Sequence, residues 1–302
     1  MDMEGALNLP NKVYLTEVGL RDGLQMEPKV VPTDLKQELI AGLADAGLPF
    51  IQVASFVHPL KIPQMADAER LIAGLPQHPC VGYSALTLNR KGVQRACATK
   101  IPWIEVSISA SDAHSRQNAG MPLAQARAEI REMVDLALAA QRSVRASIQC
   151  VFGFTKAGDT SIQTVERLAT LLVNGGVRML SLADTSGMAT PPMVRGVLKA
   201  VLPVAGDVPV GLHLHDTRGL GLVNVLTALE MGIVHFDASL GGLGGCPFVP
   251  GAAGNIATED TLHLLHSLNI ATGIDMARVA RCSRKLSAYF ERSLPGRLYR
   301  LV

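Results

Sequence analysis

The feature that most limits the fold is an eightfold alternation of short β-type segments with helical patterns along the 302 residues. The β-type segments are apolar runs, or runs rich in β-forming residues, bounded by turn signals. They cover residues 13–18, 50–56, 82–87, 103–109, 146–152, 179–185, 210–216 and 235–240. Because such alternation produces parallel strands with right-handed crossovers, eight units predict an α/β fold of the (β/α)8 TIM-barrel type.

An open, doubly wound sheet is the alternative α/β architecture. Sheets of that kind usually carry a phosphate-binding G-x-G-x-x-G turn directly after the first strand. Here the first strand is followed by "GLRDGLQ", which does not fit that spacing. The sequence therefore predicts a single catalytic domain over residues 1–302, with the barrel at about 13–274 and a short C-terminal helical extension at about 275–302.

Composition excludes several classes of protein. The chain is 48% apolar and 18% charged, which provides a full hydrophobic core. The net charge is +2, and no basic stripe with interleaved aromatic residues is present, so a nucleic-acid partner is not expected. No apolar run is long enough for a membrane span, and no signal peptide is recognisable, so we expect a cytoplasmic protein. The five cysteines contain no C-x-x-C pair and are expected to be free thiols.

Polar residues at the predicted strand ends are the candidates for function, because TIM barrels build their active sites there. They come from the first strand, the seventh strand and the Gly-rich loop after the eighth. The set is Arg21, Asp22, His213, His215, Cys246 and Asn255.

His213 and His215 form the most informative pair. Residues i and i+2 of a strand point to one face, about 7 Å apart along the strand. That arrangement suits two ligands of one cation, although two core histidines with backbone partners would give the same pattern. With oxygen donors from Asp22 and Asn255, the set favours Mg²⁺ or Mn²⁺, with Co²⁺ or Zn²⁺ also possible.

Arg21 and Cys246 are two further candidates, and the sequence allows two roles for each. Arg21 provides a planar donor fork for a developing oxyanion, or forms a structural ion pair with Asp22 or Glu17. Cys246 provides a thiol for proton exchange with carbon, or is a small buried apolar residue. The Gly-rich loop around Cys246 suits a lid over the site or a phosphate cradle.

Several motifs resemble the 3-hydroxy-3-methylglutaryl-CoA lyase family of metal-dependent TIM-barrel acyl-CoA lyases and synthases. They are "EVGLRDGLQ" at 17–25, "LADTSGMATP" at 182–191, "HLHDTRGLGL" at 213–222 and "GGLGGCPFVPGAAGNIATED" at 241–260. The resemblance covers residues from about 13 to 275. It implies cleavage of a branched 3-hydroxyacyl-CoA to acetyl-CoA and an oxo acid, with a divalent cation as cofactor and a homodimeric assembly.

The resemblance also implies roles for particular residues. The metal ligands would be Asp22, His213, His215 and Asn255. The catalytic residues would be Arg21, which stabilises an enolate, Cys246, which transfers a proton, and His213. The substrate would contact Gln25, Gln52, Ser181, Asp184 and Thr185.

The sequence departs from the lyase pattern at three places near the predicted active site. Gln52 stands where those lyases have glutamate, and "VFGFTKAGD" replaces a Gly-Cys-Pro-Tyr turn. Residues 111–114 read Ser-Asp-Ala-His, which is closer to the related condensing synthases. The alternatives are therefore a citramalyl-CoA lyase that yields pyruvate, a synthase that condenses acetyl-CoA with a 2-oxo acid, and a binding protein without catalysis.

Overall fold

The computed structural model describes residues 8–246 and 249–302, apart from the side chains of residues 246 and 249–253. Eight parallel strands close into a barrel in chain order, and β8 pairs with β1. The strands are β1 Tyr14–Glu17, β2 Phe50–Ser55, β3 Gly82–Thr87, β4 Trp103–Ser109, β5 Ser143–Gln149, β6 Met179–Ala183, β7 Val210–His213 and β8 His235–Ala238. The predicted TIM barrel is confirmed.

Helices cross over between successive strands and cover the outside of the barrel. They are α1 Thr33–Asp45, α2 Ala68–Ala73, α3 Arg90–Cys97, α4 Asp112–Ala119, α5 Leu123–Ala139, α6 Ile162–Asn174, α7 Pro191–Ala205, α8 Gly221–Glu230, α9 Thr258–Ser267 and α10 Met276–Phe290. The loop after β8 carries a two-stranded antiparallel hairpin, β9 Gly245–Cys246 and β10 Val249–Ala253. None of the described helices is long and apolar enough to cross a membrane.

Two predicted strands differ from the observed ones by three residues at one or both ends, and the others differ by two residues or fewer at each end. The fifth begins and ends three residues earlier than predicted, at Ser143–Gln149, because its polar inward residues concealed its start. The apolar residues after it belong to a buried turn, in which Cys150 has a positive φ of 56°. The seventh strand ends at His213, and His215 forms an isolated antiparallel bridge with Asn255 instead.

The strands are buried on both faces, as expected for a parallel sheet covered by helices. All five residues of β6 are buried. Apolar side chains such as Leu15, Val53 and Leu180 are fully buried and belong to one continuous core. The inner face of the barrel is different, because it also encloses charged residues that connect to the site described below.

The C-terminal segment supports the loops at the mouth of the barrel. Lys29 donates to the carbonyl of Tyr289 at 2.7 Å, and the Tyr289 hydroxyl donates to the carbonyl of Val30 at 2.7 Å. At a second point, the Gly296 N–H donates to the Gly241 carbonyl at 2.7 Å. Gly241 has a φ of 59°, and a Cβ there would lie 2.4 Å from Leu294. The segment beyond the barrel therefore fixes the loops after β1 and β8, which are neighbouring strands.

Candidate metal and acyl-CoA site

A wide helical turn after β1 presents Arg21 and Asp22 to the mouth of the barrel. The N–H groups of Asp22 and Gly23 both point to the carbonyl of Val18, at 2.7 and 3.4 Å. π-Type turns of this kind are frequent at functional sites. Glycine is required at Gly19, because a Cβ there would lie 2.2 Å from Leu240.

Glu17 holds the base of this turn. Its carboxyl accepts hydrogen bonds from the N–H groups of Gly19 and Leu240, both at 2.8 Å, and from the hydroxyl of Thr258 at 2.7 Å. Burial raises the pKa of Glu17 to about 8, against the opposing effect of these donors. Glu17 thus joins the first and last loops of the site, and Arg21 is left to pair with other groups.

Three of the four predicted metal ligands converge directly. One possible ligand atom from each of Asp22, His213 and His215 lies within 4.8 Å of the others. The Nε2 atoms of His213 and His215 are 3.2 Å apart, and His213 Nε2 is 4.0 Å from Asp22 Oδ2. The turn after β1 supplies Asp22, and the end of β7 with the residues after it supplies the histidines, so their meeting depends on closure of the barrel.

Asn255 completes the set. Its Nδ2 donates to Asp22 Oδ2 at 2.8 Å and to the Leu243 carbonyl at 3.0 Å. Its Oδ1 is buried and has no hydrogen-bond partner among the described residues. A buried acceptor without a donor is costly, and a cation between Asn255, Asp22 and the two imidazoles would satisfy it.

The protonation of the cluster suits a cation. Asp237 Oδ2 lies 3.2 Å from His213 Nδ1, which keeps a proton on Nδ1 and directs Nε2 into the cluster. Burial, together with the neighbouring His213, lowers the pKa of His215 to about 3, so this ring is neutral. Burial opposes charge on His213 as well, but Asp237 and Asp22 outweigh it and raise the pKa of His213. A cation would replace that proton on Nε2.

Asp22 is ionised at neutral pH. Its burial favours the neutral form, but Arg21 and the two histidines outweigh burial and lower the pKa of Asp22 below the usual range. Arg21 Nη1 donates to Asp22 Oδ1, and Arg21 Nε donates to Gln52 Oε1. The ion pair expected as one alternative for Arg21 is therefore present. Arg21 also lines the cavity, so the pair leaves it available to a substrate.

A cavity of about 300 Å³ opens above the cluster at the C-terminal ends of the strands. It contains the predicted residues Arg21, Asp22, Gln25, Thr185, His213 and His215. Its opposite wall is polar and comes largely from β4 and β5, with Ser107, Ser147, Gln149 and His114. Burial lowers the pKa of His114 to about 4, so this wall is uncharged around it.

Three of the other predicted site residues have structural partners. Ser181 accepts a hydrogen bond from Arg145 at 2.9 Å inside the barrel. Asp184 Oδ1 accepts from the N–H groups of Met188 and Ala189 at 2.7 and 3.1 Å, and burial raises the pKa of Asp184 to about 6. Thr185 Oγ1 accepts from the N–H of Cys150 at 2.8 Å. Ser181 thus contributes to the barrel interior, and Asp184 shapes the turn after β6.

Two other candidates differ in position. Gln52 is fully buried behind Arg21 and contacts it directly. Cys246 lies on β9, and its side chain is outside the described part of the chain, so its catalytic role stays a prediction. Ser111 accepts from the N–H of His114 at 3.4 Å and caps α4, which gives the Ser-Asp-Ala-His segment a structural function.

A buried charge network that was not predicted from the sequence lies under the site. Arg145 Nη2 donates to both oxygens of Asp237 at 2.7 Å, and Arg145 Nε lies 3.6 Å from Glu105. Charged residues at alternate positions of otherwise apolar strands were the available signal, since alternate residues share one face. In a barrel that face is the interior, where an unpaired charge is very costly.

Replacing Asp237 with asparagine should weaken metal binding without removing a ligand. The amide cannot hold the Nδ1 proton of His213 as the carboxylate does, so Nε2 is less often free for a cation. We expect a loss of about tenfold to a hundredfold in Mn²⁺ affinity by isothermal titration calorimetry. Because Arg145 also loses a charge partner, Asp237→Asn should be compared with Glu105→Gln, which removes a charge beside Arg145 and leaves the Asp237–His213 contact in place. Equal losses of affinity in both variants would contradict the role of Asp237 toward His213.

Fold and site together define a TIM-barrel protein with a candidate cation site of mixed nitrogen and oxygen donors at its catalytic mouth. The HMGL-like family model matches residues 12–286. The chain belongs to that family.

Individual relatives agree with this assignment. The chain is 38% identical over 288 residues to hydroxymethylglutaryl-CoA lyase YngG of Bacillus subtilis, covering 95% of this chain and 96% of that protein. It is 39% identical over 271 residues to the mitochondrial hydroxymethylglutaryl-CoA lyase of Mus musculus. That match covers 90% of this chain and 83% of the mouse protein.

Solved structures give the same result. The crystal structure of the Bacillus subtilis HMG-CoA lyase superposes with a TM-score of 0.93 at 38% identity, over 97% of this chain and 98% of that one. A second solved structure is an HMG-CoA lyase from Acinetobacter baumannii in complex with coenzyme A and 3-methylmalate. It superposes with a TM-score of 0.91 at 38% identity, over 96% of this chain and 95% of that one.

Proposed function

We propose that the protein is a divalent-metal-dependent carbon–carbon lyase that cleaves 3-hydroxy-3-methylglutaryl-CoA, or a close analogue, to acetyl-CoA and acetoacetate. The observation that carries the proposal is the convergence of Asp22, His213 and His215 beside Arg21 in the cavity. The relatives supply the reaction class, since they are named as lyases of this substrate. Mg²⁺ or Mn²⁺ is the proposed metal, because the donors are mixed nitrogen and oxygen without a thiolate.

Asp22, His213, His215 and Asn255 would hold the metal. A bound divalent cation supplies Lewis-acid polarisation of the substrate's hydroxyl and acyl oxygens. The buried position of the histidines keeps bulk water away from these atoms, which strengthens electrostatic effects there. Coenzyme A would extend outward from the cavity, as expected for a substrate whose reacting end is its acyl group.

The protein's own groups account for the bond changes. As the C2–C3 bond breaks, the 3-hydroxyl loses its proton, C3 becomes a ketone, and negative charge develops on the thioester oxygen. Arg21 is placed to stabilise that enolate charge. Asp22 is proposed to accept the proton of the hydroxyl, because Asp237 and the cation would occupy both ring nitrogens of His213. Cys246 is proposed to deliver a proton to C2, which gives acetyl-CoA.

Citramalyl-CoA is a second candidate substrate. Its shorter acyl group carries the same tertiary hydroxyl and would yield pyruvate in place of acetoacetate. The structure of the Acinetobacter baumannii lyase with coenzyme A and 3-methylmalate favours keeping this candidate, because that ligand is a short hydroxy dicarboxylate. The uncharged side chains of Ser107, Ser147 and Gln149, on the wall that also carries Glu105, are compatible with either acyl group.

The two candidates differ in their products. Chelator-treated protein is resupplied with Mg²⁺ and incubated with each CoA ester, and the products are trapped as acetoacetate or pyruvate. We expect acetyl-CoA and acetoacetate from 3-hydroxy-3-methylglutaryl-CoA only when metal is present. Pyruvate from citramalyl-CoA with no acetoacetate from the other ester would identify the second substrate. Cleavage of neither ester would contradict the proposed function.

We also propose that the protein acts as a homodimer in the cytoplasm. The family resemblance supports the dimer, and the bacterial relative supports the location. Light scattering coupled to size-exclusion chromatography measures the mass of the assembly. A dimer should give twice the 32.1 kDa of one chain, and a mass of 32.1 kDa would contradict the dimer.

A further inference from the structure

Two buried side chains behind Arg21 form a relay that the bond-breaking scheme does not use. They are Gln52 on β2, which is fully buried, and Glu105 on β4, which is 3% exposed. Gln52 Nε2 donates to Glu105 Oε2 at 2.6 Å, and Gln52 Oε1 accepts from Arg21 Nε. One amide therefore connects a carboxylate on the opposite wall to the guanidinium proposed to stabilise the enolate.

The guanidinium of Arg21 determines which way the amide points, because it can only donate to the carbonyl of Gln52. An ionised carboxylate only accepts hydrogen bonds and a guanidinium only donates them. A glutamine between Glu105 and Arg21 therefore satisfies both neighbours in just one orientation, with its NH₂ toward Glu105 and its carbonyl toward Arg21. Because the carbonyl accepts from Nε, it restricts the plane of the guanidinium and hence the direction of the remaining N–H groups.

Glu105 is itself fixed from the other side. It is paired in register with Arg145 on β5, and Arg145 is also bound by Asp237. Burial raises the pKa of Glu105, although Arg145 and Arg21 oppose that effect. The carboxylate therefore belongs to a packed charge network that does not move independently of the barrel.

The same geometry explains the glutamine at position 52. A glutamate there would place a second carboxylate at hydrogen-bonding distance from Glu105 in a buried site, and two such groups cannot both be ionised. This is the position at which the lyases resembled by the sequence carry glutamate. Here the negative charge stands on β4 instead, and a neutral amide transmits its effect.

We infer that Gln52 and Glu105 act as one positioning pair that aligns Arg21 for carbon–carbon cleavage, and that the carboxylate at 105 requires an amide at 52. The inference rests on the proposed lyase function for the role of Arg21. Neither residue is proposed to touch the reacting atoms.

A double-mutant cycle tests the pair. Gln52→Glu should lower kcat by about a hundredfold, the size expected when a catalytic group is misplaced by about 1 Å. Glu105→Gln should cause a smaller loss, because an amide at 105 still accepts from Gln52. The charge exchange Q52E/E105Q should raise kcat at least about tenfold above Q52E, because a carboxylate at 52 then accepts from both Arg21 and the new amide.

The same variants are measured for KM, Mn²⁺ affinity and thermal unfolding. A positioning role predicts that the loss appears in kcat, while KM and Mn²⁺ affinity stay within about threefold of wild type. Glu129→Gln on α5 is the matched control, since Glu129 pairs with Arg90 at the surface and should change none of these values. If Q52E does not fold, Gln52→Met keeps the volume without the polar ends and should show the same loss confined to kcat.

Wild-type kcat in Q52E, or in Q52M where Q52E does not fold, would overturn the inference. So would a double variant no faster than Q52E, or a loss of Mn²⁺ affinity as large as the loss of kcat. If the wild-type protein cleaves neither CoA ester, the proposed function fails, and the unfolding temperatures still test the pair. The double variant should then unfold at a higher temperature than Q52E, and an equal or lower temperature would overturn the pairing itself.

Discussion

His213→Ala is expected to remove metal binding and lyase activity together. The substitution deletes one of two imidazoles whose Nε2 atoms lie 3.2 Å apart, and it leaves Asp237 without its histidine partner. Loss of the metal should cost at least about 4 kcal/mol of transition-state stabilisation, or about a thousandfold in kcat/KM. Mn²⁺ titration calorimetry and product assays at saturating Mg²⁺ measure the two losses.

The control is His263→Ala on α9, an exposed histidine that is not part of the cluster. It should bind Mn²⁺ and turn over like the wild type. The prediction fails if chelator-treated His213→Ala retains full turnover, or if it retains wild-type Mn²⁺ affinity.

Arg21→Gln is expected to produce the second large effect, and of a different kind. Removing a preorganised donor from a developing oxyanion costs about a hundredfold to a thousandfold in kcat. Mn²⁺ affinity should not fall, because Asp22 loses only a competing partner for its Oδ1. The measurement is steady-state kinetics beside a Mn²⁺ titration of the same sample.

Arg116→Gln is the matched control for this variant. Arg116 lies on α4 and pairs with Asp112 at the surface, so its removal should leave kcat unchanged. An increase in KM with unchanged kcat in Arg21→Gln would contradict the enolate role and would assign Arg21 to ground-state binding.

The barrel could be predicted from the sequence because its main signal is local. Eight short apolar segments separated by helical patterns specify the order of elements, and parallel pairing follows from the crossovers. The strand ends were less certain, as β5 shows. Its inward residues Arg145 and Ser147 are polar, so the apolar turn at Cys150–Phe152 was the stronger β-type signal.

The convergence of Asp22, His213 and His215 could be predicted for a related reason. The two histidines of "HLHD" are visible in the sequence as an i, i+2 pair, and barrel closure brings Asp22 and Asn255 to them. The extended chain after β7 keeps His213 and His215 on the same side, although the regular strand ends at His213. Motif resemblance then supplied the reaction that is proposed for the cluster.

The partners within the charge network behind the site could not be predicted, although its charged residues were visible on the strands. Glu105, Arg145 and Asp237 lie on β4, β5 and β8, and their contacts depend on the register between strands and on side-chain length across the barrel interior. No local pattern encodes those distances. Gln52 shows the consequence, since in the sequence it is an isolated departure from the lyase pattern, whereas in the structure it bridges Arg21 and Glu105.

The measurement that tests the central claim most directly is a crystal structure of the protein soaked with Mn²⁺, with the metal located by anomalous scattering. We predict one strong peak at bonding distance from Asp22, His213 Nε2, His215 Nε2 and Asn255 Oδ1, inside the cavity and beside Arg21. A catalytically active crystal form with its peak elsewhere, or with no peak at these four residues, would contradict the account.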